Sequence, residues 1–174
     1  MATWDHLRLS NSELAAAGER LLSPNGDGVA FLSTVRQDGG PRLHPVMPVL
    51  ALGRLHVFVV RLSPKCDDLL RDGRYALHAT LPAAGGEEFY LTGRAQLVND
   101  QQVRAAVRTA SGDRLGGQAP ADADPQLLAE VRERLDGDEF EKLFELDIDH
   151  VLYTVWEGWG TTRAWPRYRR WHAS

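Results

Sequence analysis

Two reversals near the start of the chain constrain its fold more than any other feature. Asp38-Gly39-Gly40 separates the extended run Val29–Val35 from a second run, Arg42–Leu52, and Gly53-Arg54 separates that run from Leu55–Val60. An Asp-Gly pair between two β-rich stretches is a strong hairpin signal, because glycine accepts the positive φ that tight strand reversals require. Short reversals make consecutive strands antiparallel neighbours, so the chain should begin as a three-stranded meander. Pro45 and Pro48 interrupt the middle run. Each removes a ladder donor, so that strand should lie at an edge or carry a break.

The rest of the pattern alternates strands with short helices. Ser10-Asn11-Ser12-Glu13 reads as a capping box before Leu14, Ala17, Gly18, Leu21 and Leu22, predicting a helix over about 11–22 that ends at Pro24–Gly28. A short helix over about 64–72 is stopped by Gly73, a fourth strand spans Tyr75–Leu81, and Pro82–Gly86 should turn into a fifth strand, Phe89–Val98, in which Gly93 marks a bulge or a close approach. Two helices are expected next. One is capped by Asn99 and carries Val103, Ala106, Val107 and Ala110; the other starts at Asp124-Pro125 and carries Leu127, Leu128, Val131 and Leu135, with Gly112–Ala123 as a loop between them. The sixth strand alternates Phe144, Leu146, Ile148 and then shifts phase to Val151, Tyr153, Val155, which predicts a bend or bulge near His150. The fold class expected is mainly β with helical additions (α+β), built on a six-stranded antiparallel barrel.

Composition narrows the function. A chain of 174 residues, 43% apolar, supplies one well-filled core, so residues 1–174 are expected to form a single domain. A net charge of -4 argues against a nucleic-acid partner. Cys66 is the single cysteine, no apolar run is long enough to span a membrane, and the N-terminus lacks the features of a secretory signal. A cytoplasmic protein is therefore expected. The six histidines show no ligand spacing, so no metal site is expected. The segment 157–174 differs from the acidic remainder, with four arginines against one acid and with Trp159, Trp165 and Trp171. Those arginines could recognise an anionic group beside stacking surfaces, or pair with acidic residues of the protein itself.

One stretch points to a ligand. The strand Leu55–Val60 runs into Ser63-Pro64-Lys65, where Ser63 suits an N-cap, Pro64 suits the first helical position, and Lys65 sets a cation beside unpaired backbone amides. A helix start with a flanking lysine can hold a phosphate. It can equally be a plain strand-to-helix connection, with Asp67 and Asp68 complementing the helix dipole.

Gly39-Gly40-Pro41-Arg42-Leu43-His44-Pro45-Val46, Ser63-Pro64-Lys65 through Leu69, and Tyr75-Ala76-Leu77 together resemble the FMN-binding split β-barrel family named for pyridoxamine 5'-phosphate oxidase, over about residues 11–156. The resemblance implies a split barrel in which His44, Pro45, Val46 and Met47 line the cofactor, Phe58 and Val59 pass beneath it, and Ser63 and Lys65 meet its phosphate. It also implies a homodimer with cofactor sites at the interface, where Glu88 reaches the partner's cofactor. The oxidase itself has arginines at the positions of Pro64 and His44, and its C-terminal substrate-binding arginine motif is not recognisable here, which points away from pyridoxamine phosphate as substrate. The expected function is therefore an oxidoreductase acting on a small organic substrate with FMN or the deazaflavin F420. The alternative is a flavin- or haem-binding protein without turnover.

Overall fold

The computed structural model describes residues 1–22, 28–81, 86–112, 124–126, 129–130 and 140–173. Its elements are α1 (Trp4–Ser10), α2 (Ser12–Leu22), β1 (Ala30–Val35), β2 (Pro41–Val46), β3 (Pro48–Ala51), β4 (Arg54–Val60), α3 (Pro64–Arg71), β5 (Arg74–Leu81), β6 (Glu87–Val98), α4 (Gln101–Ser111), β7 (Glu141–Glu157) and β8 (Trp165–His172). The turns expected at Pro24–Gly28 and Pro82–Gly86 and the loop at Gly112–Ala123 fall mostly outside the described residues. So do Leu127, Leu128, Val131 and Leu135, although residues 125–126 and 129–130 are helical.

Both hairpins of the expected meander form, but the three runs do not stay side by side. Gly39 (φ +82°) makes the first reversal; at the second, Leu52 (φ 55°) and Gly53 (φ +69°) both take left-handed backbone, the geometry of a two-residue hairpin turn. The proline-interrupted run breaks at Met47. Its first half, β2, pairs with β1, and its second half, β3, pairs with β4.

The strand order β2-β1-β5-β6-β7-β4-β3 places those two halves at opposite ends of one antiparallel sheet. A single residue joins them, so the sheet must curl until its ends meet. β7 is long enough to hold this arrangement together. Along one edge it pairs with β6, and along the other it pairs with β4 through residues 141–145 and with β8 through 150–157. The expected phase shift appears as a register slip between Thr92 and Gly93. A Cβ on Gly93 would lie 1.8 Å from the Asp147 carbonyl oxygen, so only glycine lets the strands approach there.

The sheet thus has eight strands rather than the expected six. The additions are the separation of β3 from β2 and the strand β8, formed by the basic tail. Two further corrections concern helix starts. Trp4–Ser10 forms a helix of its own, capped by Thr3, before the predicted one. Asn11, whose Oδ1 accepts from the Leu14 amide at 3.1 Å, replaces Ser10 as the cap of α2, and Asp100, accepting from the Gln102 and Val103 amides, replaces Asn99 as the cap of α4.

The main core fills the inside of the curled sheet and includes Leu32, Val46, Val57, Val59, Leu77, Phe89, Leu91, Phe144 and Leu146, with Trp4 and Leu14 from α1 and α2. Cys66 and Leu69 join it from α3, which packs against β1, β4 and β6. A smaller cluster of Val49, Val107 and Leu143 lies under α4. Among the described residues, no helix is long and apolar enough to cross a membrane.

Candidate functional site

Strand alternation decides which side chains can share a site. On β2, Arg42, His44 and Val46 face the same side as the core residues Thr34, Leu32 and Ala30 that they oppose on β1. Leu43 and Pro45 face outward and are exposed. Val46 is buried in the core, and half-buried Met47 sits at the break between β2 and β3.

α3 begins beside this strand. Its anchor is Asp68, only 3% exposed. Oδ2 accepts from Thr34 Oγ1 and from Arg42 Nε, each at 2.8 Å, and Oδ1 accepts from an Arg71 terminal nitrogen at 3.2 Å. Burial alone would raise the Asp68 pKa, but these donors outweigh it and hold the carboxyl below the usual carboxylate range. The first-turn carboxylate read from the sequence as a dipole complement is thus a buried cross-link between α3, β1 and β2.

Lys65, at the start of α3, is close enough to His44 for its charge to act on the imidazole. Burial pushes the His44 imidazole down, and the charges of Lys65 and Arg42 push it further, with Asp68 pulling the other way. His44 is therefore neutral at pH 7, and its Nε2 is buried without a hydrogen-bond partner. Lys65 is half-buried and forms no ion pair among the described residues. Ser63 precedes α3, but its hydroxyl does not cap the helix; it donates to the Val60 carbonyl at 2.6 Å. A cavity of about 490 Å³ adjoins the site between the β1–β2 turn and α3, with Arg36, Arg42, Arg71, Asp38, Asp67 and Asp68 in its walls.

The remaining candidates stand apart from this cluster. Val59 has no exposed surface and belongs to the core, while Phe58 faces the opposite side of β4, beneath α4, with the Arg108 guanidinium 3.7 Å from its ring centroid. Successive strand residues point to opposite faces, so these two side chains cannot line one surface together. Glu88 lies on the outer face of β6, with a carboxylate oxygen 4.0 Å from His78 Nε2. In the basic tail, Arg167 pairs with Glu157 and Arg169 with Glu13. Trp171 packs on the core and donates to Ser10 Oγ at 2.9 Å, whereas Trp159 and Trp165 are exposed.

What could meet an anionic ligand here is one half-buried cation, Lys65, without an ion-pair partner among the described residues, next to a neutral imidazole and a helix start; the arginines of the cavity walls are already paired with Asp38 and Asp68. Sequence reasoning named His44 and Lys65 as candidates but did not foresee the Asp68–Arg42–Thr34 link. Only the spacing of Arg42 to His44 on one strand face could have hinted at it.

No protein-family profile and no curated protein matches this sequence. Solved structures do match. A pyridoxamine 5'-phosphate oxidase-related, FMN binding protein from Nostoc punctiforme superposes with a TM-score of 0.63 at 18% identity, covering 94% of this chain and 96% of that one. PhzG from Burkholderia lata, solved with tetrahydrophenazine-1-carboxylic acid, gives 0.63 at 14% identity over 98% of this chain and 90% of that one. A heme binding protein from Mycobacterium smegmatis gives 0.57 at 21% identity; the match covers 87% of this chain and 57% of that longer one. The fold is therefore the one shared by pyridoxamine 5'-phosphate oxidase-like FMN-binding proteins.

Proposed function

We propose that this chain, carrying the fold of the pyridoxamine 5'-phosphate oxidase-like proteins, binds FMN or F420 where β2 meets α3 and serves as an oxidoreductase for a small organic substrate. The observation that carries the reading is the buried Nε2 of His44, without a hydrogen-bond partner among the described residues and within the field of the Lys65 charge at the start of α3. Lys65 would meet the ligand's phosphate as a point charge, and the Ser63 hydroxyl would join it by turning from the Val60 carbonyl. His44 and half-buried Met47, with the backbone of Pro45 and Val46 between them, would set the path of the ligand along β2, and the adjoining cavity leaves room for its distal part. When bound, the flavin or deazaflavin ring supplies the hydride chemistry. The protein's part is to hold and orient the ring and to exclude water.

The proposal includes a homodimer. The outer face of the sheet presents Leu43 (65% exposed), Phe31 (42%) and Tyr90 (36%). A second copy covering that face would bury it and bring Glu88 toward the partner's site.

A second reading rests on His44 alone. A neutral imidazole with a free ring nitrogen is also an axial ligand for haem iron, which would make the chain a haem-binding protein without turnover. The absorbance spectrum of the purified protein, with extraction of any chromophore, separates these. Peaks near about 370 and 450 nm identify flavin, and a band near about 420 nm identifies deazaflavin or haem, which extraction resolves. A protein that takes up none of the three on reconstitution would sink both readings.

A further inference from the structure

His150 and His172 are 22 residues apart and carry no ligand spacing in sequence, yet β7 and β8 set them directly opposite each other. Both are exposed, and they share the face of the sheet that carries Thr92, which opposes His150 on β6. Their Nδ1 atoms are 2.5 Å apart and their rings are nearly perpendicular, at 88°. At that separation one Nδ1 carries a hydrogen and the other offers a lone pair, so the two nitrogens face each other between the strands. Two convergent imidazole nitrogens are the beginning of a transition-metal site. Tetrahedral zinc binds imidazole nitrogen at about 2.0–2.1 Å, which sets two ligands of one ion about 3.3–3.4 Å apart. Opening the present gap to that distance, by about 0.8–0.9 Å, requires rotations of both exposed side chains.

We propose that His150 and His172 chelate a divalent transition-metal ion through their Nδ1 atoms. On binding, the hydrogen between the rings moves through solvent to the Nε2 of the same imidazole, which frees that Nδ1 as the second ligand. Among the described residues no third histidine, cysteine or carboxylate completes a cluster, so the remaining positions belong to water or to an added ligand. The one cation on the adjacent cross-strand pair, Arg170, has its guanidinium drawn over the Tyr168 ring, 5.3 Å from the centroid. Imidazole ligands favour Zn²⁺, Ni²⁺ and Cu²⁺ over Mg²⁺ and Ca²⁺. An ion held here would pin β8 to β7 and so fasten the C-terminal strand to the barrel.

Isothermal titration of the full chain with Ni²⁺, and separately with Zn²⁺, tests the proposal. One ion should bind per chain and raise the midpoint of thermal unfolding, while Mg²⁺ does neither. His150→Ala and His172→Ala should each weaken binding by about 10-fold or more, since even the loss of an outer-shell partner costs that much. His150→Gln, which keeps a polar group on β7 without the imidazole, should show the same loss with unchanged circular dichroism, separating metal binding from strand pairing. Absence of Ni²⁺ binding to the native chain, or equal binding by the folded variants, overturns the proposal.

Discussion

The Asp68 carboxylate, buried among Thr34, Arg42 and Arg71, links the residue scale to the site, because it fixes where α3 begins. Asp68→Asn keeps the shape but removes the charge that two guanidiniums share, and should cost about 1.5–3 kcal/mol at pH 7, the range for hydrogen bonds to a charged group. The pH dependence has a definite sign. The folded-state pKa lies below the unfolded value, so the stabilisation is complete above about pH 4 and is lost as the pH falls through the folded pKa. Urea unfolding between pH 2 and 7 should therefore show an acid limb that is shallower in the variant; identical limbs would mean that the carboxylate is not preferentially stabilised by folding. Lys65 predicts the opposite balance. Lys65→Ala removes a half-buried cation that has no ion pair to lose among the described residues, so folding should change little while FMN or F420 affinity falls by about 1.5–3 kcal/mol. A titration that finds unchanged affinity would assign Lys65 to solvent.

At the scale of elements, β7 carries the architecture, because its two halves pair with different strands along one edge while β6 runs the length of the other. Such a strand needs a phase change partway, and the slip opposite Gly93 provides it. Gly93→Ala would drive a methyl group into the Asp147 carbonyl, which lies in backbone and cannot swing aside. The expected loss is about 3 kcal/mol, read as a lower denaturation midpoint with an unchanged slope. A loss under about 0.5 kcal/mol, the usual scatter of surface changes, would show that the two strands can separate there at little cost. The basic tail is also an element rather than a free segment: as β8 it pairs through eight positions with β7, and two of its arginines are already matched to glutamates. That matching weakens the idea of the tail as a general anion binder.

For the whole molecule, the outer sheet face decides the assembly. Phe31, Leu43 and Tyr90 contribute exposed apolar surface on one side of a sheet whose other side is filled by the core. The proposed dimer predicts a mass by light scattering of about twice 19.4 kDa at micromolar concentration. Leu43→Asp should shift it to the monomer without unfolding it, because that side chain is 65% exposed in the single chain. A native chain that runs as a monomer would remove the two-subunit site.

The amino-acid sequence by itself determined where strands and helices lie, because those choices rest on neighbours within a few residues. Asp38-Gly39 and Gly53 had to turn, Pro45 and Pro48 had to interrupt the ladder, Gly73 had to stop a helix, and the change of phase from Ile148 to Val151 had to bend β7. Local rules faltered where two adjacent residues could play one part, as Asn99 and Asp100 could cap α4. They gave no sign that the 157–174 segment becomes a strand, since an Arg- and Trp-rich tail has no apolar alternation and gains its ladder only from the unpaired edge of β7. Tertiary structure alone decided that Asp68 is buried, that Phe58 turns from Val59's core to the shelter of α4, and that His44 lies near Lys65. It alone set His150 against His172. Each of these depends on which strands become neighbours, and that follows from curling one sheet until β2 and β3 meet at Met47, a closure that no stretch of sequence encodes by itself.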